Sequence, residues 1–314
     1  MTTYTSVEEI RPRLERPIAS LGNFDGVHRG HQFIIERVLS RARESVRPAL
    51  LVTFRPHPLK IIRPRSAPPL IQTHEEKMAL IAAVGVEHAL VIPFTASFAD
   101  IPAEVFIRET LHRQLGVSEV YVGSNFNFGR GREGNVELLR RLGSELGFAV
   151  PAVGDFLVLG SPVSSSRIRR AVTSGEVELA RELLGRPFAI SGRVIRGDGR
   201  GADLGFPTAN LHTESELIPA DGVYVTRLTV DGSPRDAVTN VGSRPTFEGA
   251  SFAVESHLLQ PAGDLYGQGV EVWFLARLRQ EIRFESADQL RKQIAADVAR
   301  ARRFFGENPR DRDS

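Results

Sequence analysis

The chain has 314 residues, enough for two ordinary domains that each bury a core. Hydrophobic residues make up 41% and charged residues 25%, the balance of a folded soluble protein, which excludes a largely disordered chain. Lys and Arg number 40 against 38 Asp and Glu, so the formal net charge is only +2 and no nucleic-acid partner is expected.

The absence of cysteine excludes disulfides, Cys-ligated zinc and iron–sulfur clusters. The first residues, MTTYTSVEEIRPRLERP, lack the apolar core of a signal peptide. Apolar runs such as 78–84 fall far short of the roughly 20 residues that a membrane span needs. These features predict a cytoplasmic protein without a membrane partner, and they specify no oligomeric state.

In chain order, the apolar run Pro17 to Leu21 predicts a strand. It is followed by GNFDGVHRGH, Gly22 to His31, and then by a helical pattern in which Ile35, Val38 and Leu39 share a face. A strand, a glycine-punctuated turn and a helix start let backbone N–H groups and the helix dipole meet a phosphate. His28 and His31, three residues apart around Gly30, can turn both rings toward one anion. The bland alternative for such histidines is a helix cap or an exposed ring.

Further strands are predicted at Leu50 to Phe54, Ala89 to Phe94, Val120 to Gly123 and Phe156 to Leu159. Thr73 and Glu76 form a capping box for a helix that stops near Gly85, and Pro102 opens a helix from Ala103 to Leu115. Alternation of this kind predicts an α/β fold with a parallel sheet, whose ligands bind beyond the carboxyl ends of the strands. Three stretches rich in polar and turn residues fall there: FRPHP at 54–58, GSNFNFGRGREG at 123–134 and SSSRIRR at 164–170. The last reads either as an N-cap with solvated arginines, or as hydroxyls and backbone N–H groups that grip a triphosphate with Arg169 one turn along.

Gly185, Arg186 and Pro187 mark a boundary after the helical segment Val177 to Leu184. Beyond it the period changes toward two, with strands predicted at Phe188 to Ile195, Gly222 to Val230, Ala237 to Val241, Phe252 to Leu259 and Val270 to Leu278. A small antiparallel barrel fits them. Ser286 and Gln289 cap a C-terminal helix that carries Leu290, Ile294, Val298 and Phe305 on one face. The predicted organisation is therefore a domain over 1–184, a barrel domain over 185–306 and a flexible tail over 307–314. In the second domain, GDGRGADLGFPTAN at 197–210 places the oxygen ligands Thr208 and Asn210 at i and i+2, on one face of an extended segment. That pair suits Mg²⁺ bound to ATP phosphates, although composition alone equally describes a glycine-rich hairpin loop. NVGSRPTF at 240–247 precedes a strand-like segment with Glu255 and His257.

Together these stretches resemble the bifunctional bacterial riboflavin kinase/FAD synthetase family, from Leu21 to about Phe304. GNFDGVHRGH is similar to the HxGH signature of nucleotidyltransferases in the extended GxFDGxHxGH form. FRPHP resembles TFxPHP, SSSRIRR resembles SSTxIR, and GSNFNFG resembles VGxDFxFG with Asn125 in place of aspartate. The barrel segment matches GRxLGFPTAN, with Ala202 where the signature has arginine, and the ExH pattern at Glu255 and His257. DLYG at 264–267 and RQEIRF at 279–284 also resemble family elements.

The resemblance implies two reactions. The C-terminal module would phosphorylate riboflavin from ATP, with Glu255 as general base and Thr208 and Asn210 holding Mg²⁺ and phosphates. The N-terminal module would join FMN to AMP from a second ATP, giving FAD and pyrophosphate, while His28, His31 and Arg169 stabilise charge. By the same resemblance, Gly22, Phe24, Asp25 and Gly26 bind substrate or nucleotide in the first module, with Asn125, Ser164, Ser165 and Ser166. Gly197, Gly205, Pro207, Asn240 and Arg279 do so in the second. Two other readings stay open at this point: a flavin- or nucleotide-binding protein with one activity or none, and an RNA-binding relative of the aminoacyl-tRNA synthetases, which share an HxGH-type element. The small net charge and the absence of a KMSKS loop weigh against the RNA reading.

Overall fold

The computed structural model describes residues 1–10, 13–197, 199–230, 232–246, 249–261 and 263–307, with backbone alone at 200, 243–246 and 249–251. Phe247 of the NVGSRPTF stretch and the tail from residue 308 lie outside the described residues. The chain forms two compact units, 1–69 with 73–164 and 70–72 with 165–314.

The first unit is built on five parallel strands: β1 (Thr2–Tyr4), β2 (Ile18–Leu21), β3 (Ala49–Arg55), β4 (His88–Pro93) and β5 (Glu119–Tyr121). Their order across the sheet is β1-β4-β3-β2-β5. Burial on both faces follows from the near-continuous apolar strands. Leu50, Val52 and Phe54 point to one face with Phe106, Leu111 and Leu139, whereas Leu51 joins Phe24, Val27, Ile35 and Ile81 on the other.

The α-helices among the described residues of this unit are α1 (Arg29–Ser45), α2 (Pro58–Ile62), α3 (His74–Ala83), α4 (Ala96–Ala99), α5 (Ala103–Val105) and α6 (Val136–Leu146). Thr73 and Glu76 make the predicted capping box at α3, with both reciprocal bonds formed. The helix predicted from Ala103 is α-helical only through Val105 and continues as a π-helix over Phe106–Gln114.

Two strand regions of this unit also differ from the sequence expectation. The short β1 pairs with β4 at the sheet edge, although three residues are too few to show a period. The strand predicted at 156–159 is not in the parallel sheet. There β6 (Leu157–Val158) pairs with β7 (Ser161–Pro162) as a hairpin, because Leu159 and Gly160 take φ of 51° and 71° and turn the chain back on itself.

The second unit contains α7 (Ser165–Thr173) and α8 (Val177–Leu184) followed by a closed barrel. Its strands are β8 (Phe188–Ile195), β9 (Ala209–Thr213), β10 (Gly222–Val230), β11 (Ser233–Thr246), β12 (Gly249–Leu258) and β13 (Gly269–Gln280). The short helix α9 (Arg200–Asp203) interrupts the segment between β8 and β9. All pairings are antiparallel, in the order β10-β11-β12-β9-β8-β13, with β13 returning to β10. The C-terminal helix α10 (Ala287–Glu307) packs Val298, Ala301 and Phe305 on Val223, Val225, Val238 and Leu275 of the barrel's outer surface. Arg277 fastens the α7–α8 turn to the barrel, donating from Nη1 to the Ser174 carbonyl at 3.0 Å and from Nη2 to the Asp221 carbonyl at 2.7 Å.

Candidate active sites

In the first unit the chain runs from β2 to β3 and β4 on one side, then crosses to β5 on the other side of β2. The carboxyl ends of β2 and β5 thus form the topological switch point, where open parallel sheets bind ligands. The loop after β2 is GNFDGVHRGH, and the loop after β5 carries Asn125. Asn125 is exposed, its amide folded toward Gly123.

Within GNFDGVHRGH, Phe24, Gly26 and Val27 take φ of 50°, 92° and 37°. Left-handed backbone at a β-branched residue is strained by about 1–3 kcal/mol. What offsets it is packing: the bends drive Phe24 and Val27, each 1% exposed, into the small core with Ile35 and Ile81. Gly22 sits so close to the Phe24 ring that a Cβ there would stand 3.1 Å from it.

His28 is the N-cap of α1, and its Nδ1 accepts the His31 backbone N–H at 3.3 Å. Its ring lies parallel to that of His31, with centroids 3.5 Å apart and planes 14° from coplanar. Gly30 leaves room for this stack, since a Cβ at that position would meet the His28 ring at 3.3 Å. His31 also meets the Phe24 ring edge-on at 5.2 Å. Burial pushes its imidazole well below the usual histidine pKa, and the neighbouring His28 and Lys77 push it the same way. The Nδ1 of His31 is buried with no hydrogen-bond partner among the described residues. Two stacked imidazoles at a helix N-terminus, one of them with an unmatched nitrogen, are suited to receive an anion.

Asp25 of the same loop is buried at 4% exposure. Sequence reasoning missed Lys77, which is 8% exposed on α3 and within hydrogen-bond reach of Asn23, Thr53 and Phe54. Its signal was a lysine one helical turn before Ile81, inside what is otherwise a buried stripe. Ser164 ends the first unit, while Ser165, Ser166 and Arg169 lie on α7 in the second.

The second site lies on the outer face of the barrel. Val254 and Ser256 point inward, where the Thr226, Thr239 and Ser256 hydroxyls form a buried chain at 2.6 and 2.8 Å. Alternation therefore turns Glu255 outward. Its cross-strand partners are Asn240 on β11 and Asn210 on β9, so the three residues form a row across adjacent strands. Thr208 lies two residues before Asn210, on the loop that enters β9.

Glycines let that loop close on itself. A Cβ on Gly197 would collide with the Asn210 amide, and one on Gly201 would stand 3.2 Å from the Thr208 hydroxyl. Gly205 holds φ at 85° in the turn before Phe206 and Pro207. His257 secures the loop by donating from Nδ1 to the Pro207 carbonyl at 2.9 Å, with its ring edge-on to Phe206 at 5.4 Å. The Arg279 guanidinium pairs with buried Asp297 of α10, with Nε and Nη2 each 2.9 Å from Oδ2. The hydroxyl, amide and carboxylate oxygens of Thr208, Asn210 and Glu255 are the hard donors that Mg²⁺ prefers when phosphates complete its shell. No cluster of three His, Cys, Asp or Glu able to hold a metal by itself occurs among the described residues.

Comparison with known proteins agrees with this division. An FAD synthetase family model matches residues 10–167, and a riboflavin kinase family model matches residues 184–305. The bifunctional riboflavin kinase/FMN adenylyltransferase of Escherichia coli strain K12 is 40% identical over 92% of this chain and 93% of its own. The chain belongs to the bifunctional riboflavin kinase/FMN adenylyltransferase family. The family's member from Pseudomonas fluorescens is 38% identical over 96% of this chain and 97% of its own. A crystal structure of a macrolide-efflux protein from Streptococcus pneumoniae matches with a TM-score of 0.86 at 29% identity, covering 96% of this chain and 98% of that one. Among the described residues of the present family member, no helix is long and apolar enough to cross a membrane.

Proposed function

We propose that the chain makes FAD from riboflavin in two steps at two sites. In the first, ATP phosphorylates the terminal ribityl hydroxyl of riboflavin, giving FMN and ADP. In the second, FMN and another ATP give FAD and pyrophosphate. The observation that supports this reading is the presence of two separate polar constructions on unlike folds. One is the His28–His31 pair at the sheet's switch point, and the other is the Asn240–Glu255–Asn210 row on the barrel.

For the kinase step, Glu255 accepts the proton of the ribityl hydroxyl as the oxygen attacks the γ-phosphorus. Asn240 and Asn210 flank the carboxylate and orient the groups that approach it. Gly197 and Gly205 keep the loop close to the nucleotide phosphates, and the His257 bond to Pro207 keeps Thr208 beside them. Thr208 and Asn210 would hold Mg²⁺, which when bound neutralises phosphate charge. Arg279 orders the edge of this face through Asp297.

In adenylyl transfer the FMN phosphate is already a nucleophile, so no general base is required. Gly22, Phe24, Asp25 and Gly26 shape the loop that meets the nucleotide, and Asn125 contributes an amide from the neighbouring loop. His28 and His31 donate hydrogen bonds to the charge that develops at the α-phosphorus and the departing pyrophosphate. Ser164, Ser165, Ser166 and Arg169 form a second phosphate-binding motif, hydroxyls and backbone N–H groups at the start of α7 with an arginine one turn along. We assign 1–184 to the adenylyltransferase and 185–306 to the kinase, working in the cytosol on small molecules, with neither nucleic acid nor membrane as partner. The test is to incubate purified protein with riboflavin, ATP and Mg²⁺ and follow both flavins by chromatography. FMN should rise first and FAD afterwards. A protein that forms neither is not this enzyme.

A further inference from the structure

Lys77 is a buried cation that the two proposed reactions leave without a role. It sits on the apolar face of α3, where Ile81 one turn later packs beside Phe24 and Val27. Its Nζ lies 3.3 Å from the Asn23 carbonyl, 3.1 Å from the Thr53 hydroxyl and 3.5 Å from the Phe54 carbonyl. Thr53 in turn donates to the same Asn23 carbonyl at 3.3 Å. Asn23 is the second residue of the GNFDGVHRGH loop, and Phe54 is the first of FRPHP. One ammonium thus joins the carboxyl ends of β2 and β3 at the point where both site loops depart.

The charges around it are unevenly placed. Asp25 from the loop after β2 is its buried counter-charge, while Arg55 at the end of β3 opposes it and pairs with Glu75 of α3 at 3.3 Å. His31 feels Lys77 from the loop side, next to His28, and His74 feels it from the start of α3. A lysine kept in such a place loses hydration that three neutral acceptors only partly restore, and burial accordingly pulls its pKa down to about 8. Core packing alone would be served better by an uncharged side chain.

We propose that Lys77 is a positioning residue for adenylyl transfer: it clamps the histidine-bearing loop to the ends of β2 and β3 and confronts His31 with a fixed positive charge. The clamp sets where the two rings stand, and the charge adds to the effect of burial and of His28 in disfavouring a proton on His31. This inference rests on assigning adenylyl transfer to the first unit, and its test separates the two.

The variants are Lys77→Met, which keeps an apolar stem and deletes the charge, and Lys77→Arg, which keeps the charge. For each, FAD formation from supplied FMN and ATP is measured as kcat and KM, and FMN formation from riboflavin serves as the control for intact protein. Histidine ring signals are titrated by NMR and assigned to His31 with a His31→Asn variant. In Lys77→Met, kcat for FAD formation should fall about 10–100-fold, as expected for a misplaced catalytic loop. KM and FMN formation should hold, and the His31 midpoint should move up toward the ordinary histidine value. Lys77→Arg should keep the midpoint low and recover most of kcat.

Wild-type kcat and an unmoved His31 midpoint in Lys77→Met overturn the role of Lys77. The role is equally overturned if Lys77→Arg is as impaired as Lys77→Met while its His31 midpoint matches wild type, because packing alone would then explain both. Wild-type protein that makes no FAD from FMN and ATP sinks the adenylyltransferase assignment instead.

Discussion

Glu255 stands directly across from Asn210 on the adjoining barrel strand, and from Asn240 on the other side. Opposed residues of an antiparallel pair share a face with Cβ atoms about 4.5–5.5 Å apart, close enough for both to touch one ligand. If the carboxylate is the base of the kinase step, Glu255→Gln removes proton acceptance while preserving shape. FMN formation should then fall about 10²–10⁴-fold, the usual contribution of a general base. FAD formation from supplied FMN should be unchanged, since that step needs no base. Loss of both activities in folded protein would refute the division into two sites.

Much of this site was legible because its parts are local. Thr208 and Asn210 at i and i+2 and the glycines around them declare themselves within a few residues, as does, in the first unit, the capping box at Thr73 and Glu76. The class of each half was likewise visible, from strands alternating with helices before residue 185 and a period near two after it. What escaped depends on partners distant in sequence. His257 reaches back to the Pro207 carbonyl, Arg279 reaches forward to Asp297, and Lys77 meets Asn23 and Thr53. No spacing rule encodes such pairs. The 156–159 run misled for a different reason, because its apolar residues form an exposed hairpin, with Leu157 at 55% and Leu159 at 76% exposure, and not a buried strand.

Two glycines allow the sites to be perturbed without touching a functional side chain. A Cβ on Gly30 would stand 3.3 Å from the His28 ring, and a Cβ on Gly197 would collide with the Asn210 amide. Displacements near 1 Å at a reacting centre can cost about 100-fold in rate. Gly30→Ala should therefore slow FAD formation and spare FMN formation, and Gly197→Ala should do the reverse. Product chromatography on each variant reads both outcomes at once. Equal loss of both reactions in either variant would count against the assignment.

His31 gives the protein an acid-side weakness whose sign can be worked out. Its folded-state pKa is lowered, first by burial and then by His28 and Lys77, whereas the unfolded chain titrates near 6.5. Below about pH 6.5 the unfolded state therefore binds a proton that the folded state refuses, and stability falls as pH drops. The fall stops once pH passes below the folded-state value. Replacing His31 with Asn removes this contribution, so the wild-type protein should lose more stability than the variant between pH 7 and pH 5. Denaturant midpoints of both proteins across that range check it, and parallel curves would contradict the assigned burial of the ring. His28→Ala should depress FAD turnover much more than it moves the pH optimum, because His28 acts as a donor and not as the base.

Arg279 is the residue for which structural and substrate-binding roles must be separated. Its guanidinium bonds the 2% exposed carboxylate of Asp297, which also accepts from Gln293 Nε2 at 3.0 Å. Removing one partner of a buried pair leaves the other charge uncompensated, so Asp297→Ala should destabilise the barrel unit by about 3 kcal/mol. Replacing both partners with apolar residues, Arg279→Met with Asp297→Leu, should recover most of that stability, because no buried charge remains. If Arg279 also binds substrate, the double variant should be stable yet show a raised KM in FMN formation. Thermal unfolding measured together with steady-state kinetics resolves the two roles. A double variant with wild-type KM would confine Arg279 to holding α10 against the barrel.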